Sequence, residues 1–284
     1  MNFNAATTQP TTVGQIYGIA YGNSVFVLGG ANGIIYRSTD YGITWSLATT
    51  QPPGASVTFQ MSFGNNYFVV GDNNGKAFRS SDNGITWVVA TTHPSAVGAG
   101  SLYGSAYGNS EFIVSAANGK VFRSADNGDT WAAATTQPAT LGAALYAAAY
   151  GNNVFIVSDG NGKVFRSTDN GDTWAAATIH PAGVTNLVGA AFGNNVFVVG
   201  GSGGKVSRST DNGDTWAAAS TQPTAAGAGV IYTASYGNGI FFVGDTNGKV
   251  FYSTDNGDTW AAATTQPSVQ DQFVEQPTAI ANTL

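Results

Sequence analysis

Apolar and polar positions along this chain change over in short bursts. Between residues 145 and 178 the runs LYAAAYG, VFIVSD, KVFRST and TWAAAT follow one another, separated by NN, GNG and DNGD. The runs are rich in Val, Ile, Phe, Tyr and Thr, and the separators are Asn-Gly or Gly-Asn pairs suited to the positive backbone angles of tight hairpin turns. Four short antiparallel strands follow from this stretch. No window holds a run at helical spacing, because Gly or Pro interrupts every stretch long enough to form one.

The same pattern recurs along the chain. The phrase STDNGDTW at 167–174, 209–216 and 253–260 has relatives in STDYGITW at 38–45, SSDNGITW at 80–87 and SADNGDTW at 124–131. The six copies end at Trp45, Trp87, Trp131, Trp174, Trp216 and Trp260, at intervals of 42 to 44 residues. A unit of that length cannot enclose a core alone. Six four-stranded units stacked around an axis bury one another's faces, so the predicted fold is an all-β, six-bladed β-propeller spanning residues 1–267.

Two segments stand outside the six units. FNAATTQP at 3–10 matches WAAATTQP at 131–138, with Phe3 in the Trp place. Residues 3–8 therefore read as a surplus outer strand, expected to close the ring or to pair with another chain. Residues 268–284 break the pattern and are expected to form an attachment or oligomer contact.

The octapeptide invites a calcium reading, since oxygen-rich loops with Gly hold hard cations. The second carboxylate, however, is Ile43 and Ile85 in the first two copies. The structural reading is stronger: Asp40, Asp82, Asp126, Asp169, Asp211 and Asp255 accept hydrogen bonds from their own turns, and each Trp packs between blades. No metal or cofactor is expected.

The pattern S/T-x-D-x-G-x-T-W resembles the Asp-box, or bacterial neuraminidase repeat, of sialidases, some other glycosidases, sortilin-like receptors and photosystem II assembly-factor propellers. The resemblance covers nearly the whole chain. It implies a propeller in which the box is a rim element away from any active site.

A sialidase-like site would need three converging arginines, a Tyr–Glu nucleophile pair and an acidic proton donor. Here Arg37, Arg79, Arg123, Arg166 and Arg208 share one repeat position, and evenly spaced copies on a ring do not converge. Glu111 and Glu275 are the only glutamates, so the paired carboxylates of a glycosidase are not in view. The expectation is that the protein is not an enzyme, with a glycoside hydrolase as the remoter alternative.

Charged residues make up 9% of the chain and the net charge is -6. Only ten basic residues are present, spread evenly, which argues against nucleic acid. No run approaches a membrane span, and MNFNAATTQP does not resemble a secretory signal. With no cysteine, the redox compartment is unreadable.

Comparison of the six units shows where recognition would sit. The YGN turns and the boxes are nearly fixed. The loops after TTQP and the turns between second and third strands vary, and propeller geometry gathers both on the opposite face. That face carries Asp72, Asp159 and Asp245 in units 2, 4 and 6, with His93 and His180 after units 2 and 4, as candidates for orienting a sugar hydroxyl.

Tyr17, Phe59, Tyr103, Tyr146 and Tyr232 begin the inner strands and are candidates for stacking on sugar rings; Val188 breaks their series. The leading expectation is a multivalent module for a glycan or cell-envelope receptor. Low charge and polar loops suit an extracellular or virion surface, such as a phage or injection particle. The alternative is a structural or assembly protein docking to other particle proteins.

Overall fold

The computed structural model describes residues 6–140 and 142–266. It contains six four-stranded sheets, every neighbouring pair antiparallel and every sheet in chain order. In blade 1 the strands are Ile16–Gly22, Val25–Gly30, Ile35–Ser38 and Ser46–Leu47. The inner strands of blades 2 to 6 are Thr58–Gly64, Leu102–Gly108, Leu145–Gly151, Gly189–Gly193 and Ile231–Gly237. The propeller with one Asp-box per blade is thus what the repeat predicts.

Local chemistry explains the hairpins. The first turn of each blade is a two-residue loop with both residues at positive φ, such as Asn65 and Asn66 at 46° and 65°. Such turns match the twist of the strands they join, and Asn tolerates the left-handed region better than other side chains.

The outer strands are shorter than the sequence suggests, pairing over two residues each. The chain then leaves its own sheet for the next blade's box: Thr50 N–H donates to the Ile85 carbonyl and Thr136 N–H to that of Asp172. Short 3-10 turns at Pro94–Val97, Ser202–Gly204 and Pro223–Ala226 are the only helical pieces among the described residues.

The core lies between blades. Trp87 packs with Val27, Ile35 and Ala48 of blade 1 and with Met61, Phe68 and Phe78 of blade 2. Equivalent clusters surround Trp131, Trp174, Trp216 and Trp260. Each contains one blade's Trp and its two neighbouring sheets, so stability resides in the junctions.

Five junctions share three devices, and four of them add a fourth. An inner-strand aromatic (Phe63, Tyr107, Tyr150, Phe192, Tyr236) lies over a glycine of the preceding blade (Gly22, Gly64, Gly108, Gly151, Gly193), so close that a Cβ there would enter the ring. The box glycine rests on a β-branched side chain of the preceding blade, as Gly171 does on Ile113. A turn asparagine donates to a box asparagine of the next blade, as Asn109 does to Asn170 at 2.6 Å. At four of the five, an arginine pairs with a box aspartate, as Arg123 does with Asp172 at 3.0 Å.

The junction between blades 6 and 1 has none of these among the described residues. No described atom lies within 4 Å of a Cβ built on Gly237, and Tyr21, which would cover it, is 49% exposed. The box asparagine is replaced by Tyr41, the box aspartate by Ile43 and the arginine by Tyr252. The inner strands of blades 6 and 1 do not pack together as other neighbours do. A cavity of about 400 Å³ opens there and is continuous with the central channel, lined by Ile16, Ile19, Thr233 and Val250 of blades 1 and 6 and by Gln60, Ser105, Ala148 and Ala190 of the inner strands of blades 2 to 5.

The surplus N-terminal segment bears on this gap. Phe3 to Ala5 lie outside the described residues, but Thr8 N–H, in the place of Thr50 and Thr136, donates to the Ile43 carbonyl at 3.4 Å, and Thr7 N–H donates to the same oxygen at 2.7 Å. The Thr8 bond is the one that each preceding blade's outer segment makes to the next box. Blade 6 keeps its own outer strand, Ala261–Ala262, paired to Phe251 and Tyr252. The N-terminal segment therefore occupies blade 1's docking position without replacing a strand of blade 6.

Candidate functional site at the channel mouth

Each box is a closed hydrogen-bond unit. Asp169 Oδ1 accepts from the Ser167 hydroxyl and the Thr173 N–H, and Oδ2 from the Thr173 hydroxyl. Asp40, Asp82, Asp126, Asp211 and Asp255 repeat this pattern. The Thr44 and Ser38 bonds hold the Asp40 carboxyl at about 2. Burial pushes Asp255 upward, but the Thr259 and Ser253 bonds outweigh it and hold it at about 2 as well. The indole N–H of each Trp donates to its box glycine, for example Trp174 to Gly171.

The fixed and variable loops separate onto two faces as expected. Turn asparagines meet boxes on one side, while loop–turn bonds such as Ala117 N–H to the Ser101 carbonyl gather the variable segments on the other.

On that variable face Asp72, Asp159 and Asp245 are buried. Asp72 Oδ1 accepts the N–H groups of Asn74 and Lys76, and Asp159 and Asp245 make the same pair of bonds in their turns. Asp245 also accepts from the Gly229 N–H at 2.6 Å. These carboxylates tie loops together rather than face solvent. Burial raises Asp159 despite those bonds.

The histidines stand in a glutamine's place. Gln51 clamps Ile35, its Oε1 accepting from the Ile35 N–H and its Nε2 donating to the Ile35 and Ala48 carbonyls. Gln137, Gln222 and Gln266 repeat the clamp. His180 Nδ1 accepts the Val164 N–H, one bond where glutamine makes three, and His93 Nδ1 is buried without a partner. Burial, reinforced by Lys76 and Lys163 respectively, pushes His93 and His180 below the ordinary imidazole value.

The aromatic candidates converge. Tyr17, Phe59, Tyr103, Tyr146 and Tyr232, with Val188, surround the end of the central channel. Ring centroids are 5.4 Å apart for Tyr17–Phe59, 4.9 Å for Phe59–Tyr103 and 5.4 Å for Tyr103–Tyr146.

The backbone explains why they point inward. Strand pairing skips Tyr17 between Ile16 and Gly18, Tyr103 between Leu102 and Gly104, Tyr146 between Leu145 and Ala147, and Tyr232 between Ile231 and Thr233. A bulge at each position re-aims the side chain out of the sheet. Blade 2 skips two residues, Phe59 and Gln60.

Gln60 was not singled out by the sequence. Its Nε2 reaches across the channel to the Val188 carbonyl at 3.3 Å. The available signal was that Gln60 is the one long polar side chain where other units carry Gly18, Gly104, Ala147, Gly189 or Thr233. The repeated arginines do not converge on the collar: Arg79, Arg123, Arg166 and Arg208 pair with the next blade's box aspartates. Glu111 is buried against Arg123. Burial raises it, more than the nearby guanidinium lowers it.

Comparison with known proteins agrees with this architecture. A family model described as the DUF6242 beta propeller domain matches residues 2–142 and 107–230. The chain belongs to that family. A BNR/Asp-box repeat model matches residues 251–262 within this DUF6242-type propeller. No curated protein matches the chain.

Among solved structures, YCF48 bound to D1 peptide is 18% identical over 93% of this chain and 87% of that one, with a TM-score of 0.68. YCF48 from Cyanidioschyzon merolae is 16% identical over 90% and 87%, with a TM-score of 0.67. The GH74 xyloglucanase from Xanthomonas campestris is 15% identical over 88% of this chain but 45% of the enzyme, with a TM-score of 0.62. At these identities the likeness is one of fold.

Proposed function

We propose that this DUF6242-family propeller is a non-catalytic recognition module that takes a glycan at the aromatic collar. The observation that carries the reading is the convergence of Tyr17, Phe59, Tyr103, Tyr146 and Tyr232 on one channel mouth, each aimed there by a bulge. Aromatic faces beside phenol hydroxyls suit a sugar ring, which presents C–H faces and equatorial hydroxyls together. Burial raises the Tyr17 and Tyr146 phenols, keeping both neutral donors at physiological pH. Among the described residues, no two carboxylates face each other across the collar in the way glycoside hydrolysis requires.

The test is a glycan array followed by calorimetry. A binding sugar should lose on the order of tenfold in affinity on Tyr103→Ala or Tyr146→Ala, about the worth of one aromatic contact. The exposed rim variant Val88→Ala should bind unchanged. Silence across the array, or binding indifferent to both tyrosines, removes the reading.

A further inference from the structure

We propose that the gap between blades 6 and 1 is the docking site of the chain's own C-terminal segment, residues 267–284. The inference differs from the collar reading in its occupant, a polypeptide, and in its site, the walls of blades 6 and 1, although Tyr17 and Tyr232 border both.

The path of the chain supports it. In five units the clamp residue is followed at once by proline and then by the next blade's inner strand: Gln51 leads to Thr58, His93 to Leu102, Gln137 to Leu145, His180 to Gly189 and Gln222 to Ile231. Gln266 clamps Val250 in the same way, at 2.7 Å and 3.1 Å, and Pro267 follows. Val250 itself lines the gap. The repeat therefore aims the chain at the place where a further inner strand would lie, and the spacing of the other units, counted from Gln266, falls at residues 273 to 275.

Surface chemistry supports it too. The blade 1 wall exposes Ile16, Ile19 and Tyr21, at positions that the preceding blade covers elsewhere in the ring. Residues 267–284 contain Phe273, Val274, Ile280 and Leu284 and no Lys or Arg. Pro277 is compatible with an unpaired strand edge, which lacks a neighbour to receive its missing N–H.

The N-terminal segment fits the same site. Gln9 Nε2 donates to the Ala6 carbonyl at 3.0 Å, the local part of the glutamine clamp. Among the described residues it has no third strand to hold. The segment from Ala6 to Gln9 is thus already docked on the box of blade 1, at the edge of the gap.

The chain contains no cysteine, so introduced pairs report without background. Ile19→Cys with Val274→Cys is compared with Val88→Cys with Val274→Cys; Ile19 and Val88 are equally exposed, at 52% and 53%. The full chain should form the first disulfide within one molecule on the order of tenfold faster than the second, since docking raises the local concentration. In the unmodified full chain, amide exchange should be slowed within 273–281. Equal rates for the two pairs, unprotected amides in 273–281, or disulfides that form only between molecules would each overturn the proposal. The last result would assign the gap to a second copy.

Discussion

The junction between blades 3 and 4 and the junction between blades 6 and 1 are built from the same strand types and end differently. At the first, Tyr150 covers Gly108, Gly171 rests on Ile113, Asn109 bonds Asn170 and Arg123 pairs with Asp172. At the second, Tyr21 is half exposed, Gly237 is uncovered, and Tyr41, Ile43 and Tyr252 replace the polar partners. Blade-internal chemistry is the same in both places: Asp40 is held by Ser38 and Thr44 as Asp169 is by Ser167 and Thr173. A blade's hairpins therefore form from its own sequence, while its sides depend on a neighbour.

Tryptophan should reveal that division most strongly. Trp174 is buried between two sheets, whereas Trp45, at the free side of blade 1, is only partly buried. Trp174→Ala should cost about 3 to 5 kcal/mol in denaturant unfolding, and Trp45→Ala distinctly less. Equal costs would mean that blade 1 has a packed neighbour on both sides.

Acid should act on the shared blade chemistry instead. The six box aspartates all lie below the ordinary carboxyl value. Their unfolded forms, titrating near 3.9, bind protons first as pH falls. Their contribution is complete above about pH 5 and is lost between about pH 4 and 2. Glu111 and Asp159, raised by burial, oppose this, since each gains on protonation in the folded state. Chemical denaturation against pH should therefore show falling stability below pH 4, and Asp40→Asn should flatten that slope as much as Asp169→Asn does. A box at the open junction that titrated differently would show that junctions, not turns, hold the aspartates.

The smallest effect concerns the clamp. His93→Gln should restore bonds to the third strand of blade 2 and add about 1 kcal/mol, with His180→Gln adding less because His180 already accepts one bond. Both histidines are lowered in the folded state, so their protonation favours unfolding as pH drops through about 6.5. The double variant should lose that slope in thermal melts between pH 7 and 5.

Much of this was legible in the sequence because the repeat is written in turn chemistry. The Asn-Asn turns, the box and the period identify blades, their number and their fixed and variable faces. The collar was visible as a series of aromatics, but the bulges that aim them were not, since register depends on both strands of a hairpin. Asp72, Asp159 and Asp245 looked like surface groups because short Asp-containing turns usually are; here the loop before each inner strand folds over them. The changes at Tyr41, Ile43 and Tyr252 stood in plain view. Their meaning emerges only once all three fall on one junction.

The most direct test of the comparison is the thermal stability of two glycine variants. In Gly151→Ala the new methyl would enter the Phe192 ring, whereas in Gly237→Ala it meets no described atom within 4 Å. Gly151→Ala should lose about 1 to 3 kcal/mol and Gly237→Ala almost none. Matching losses at both positions would contradict it, because Gly237 would then be covered as closely as Gly151 is.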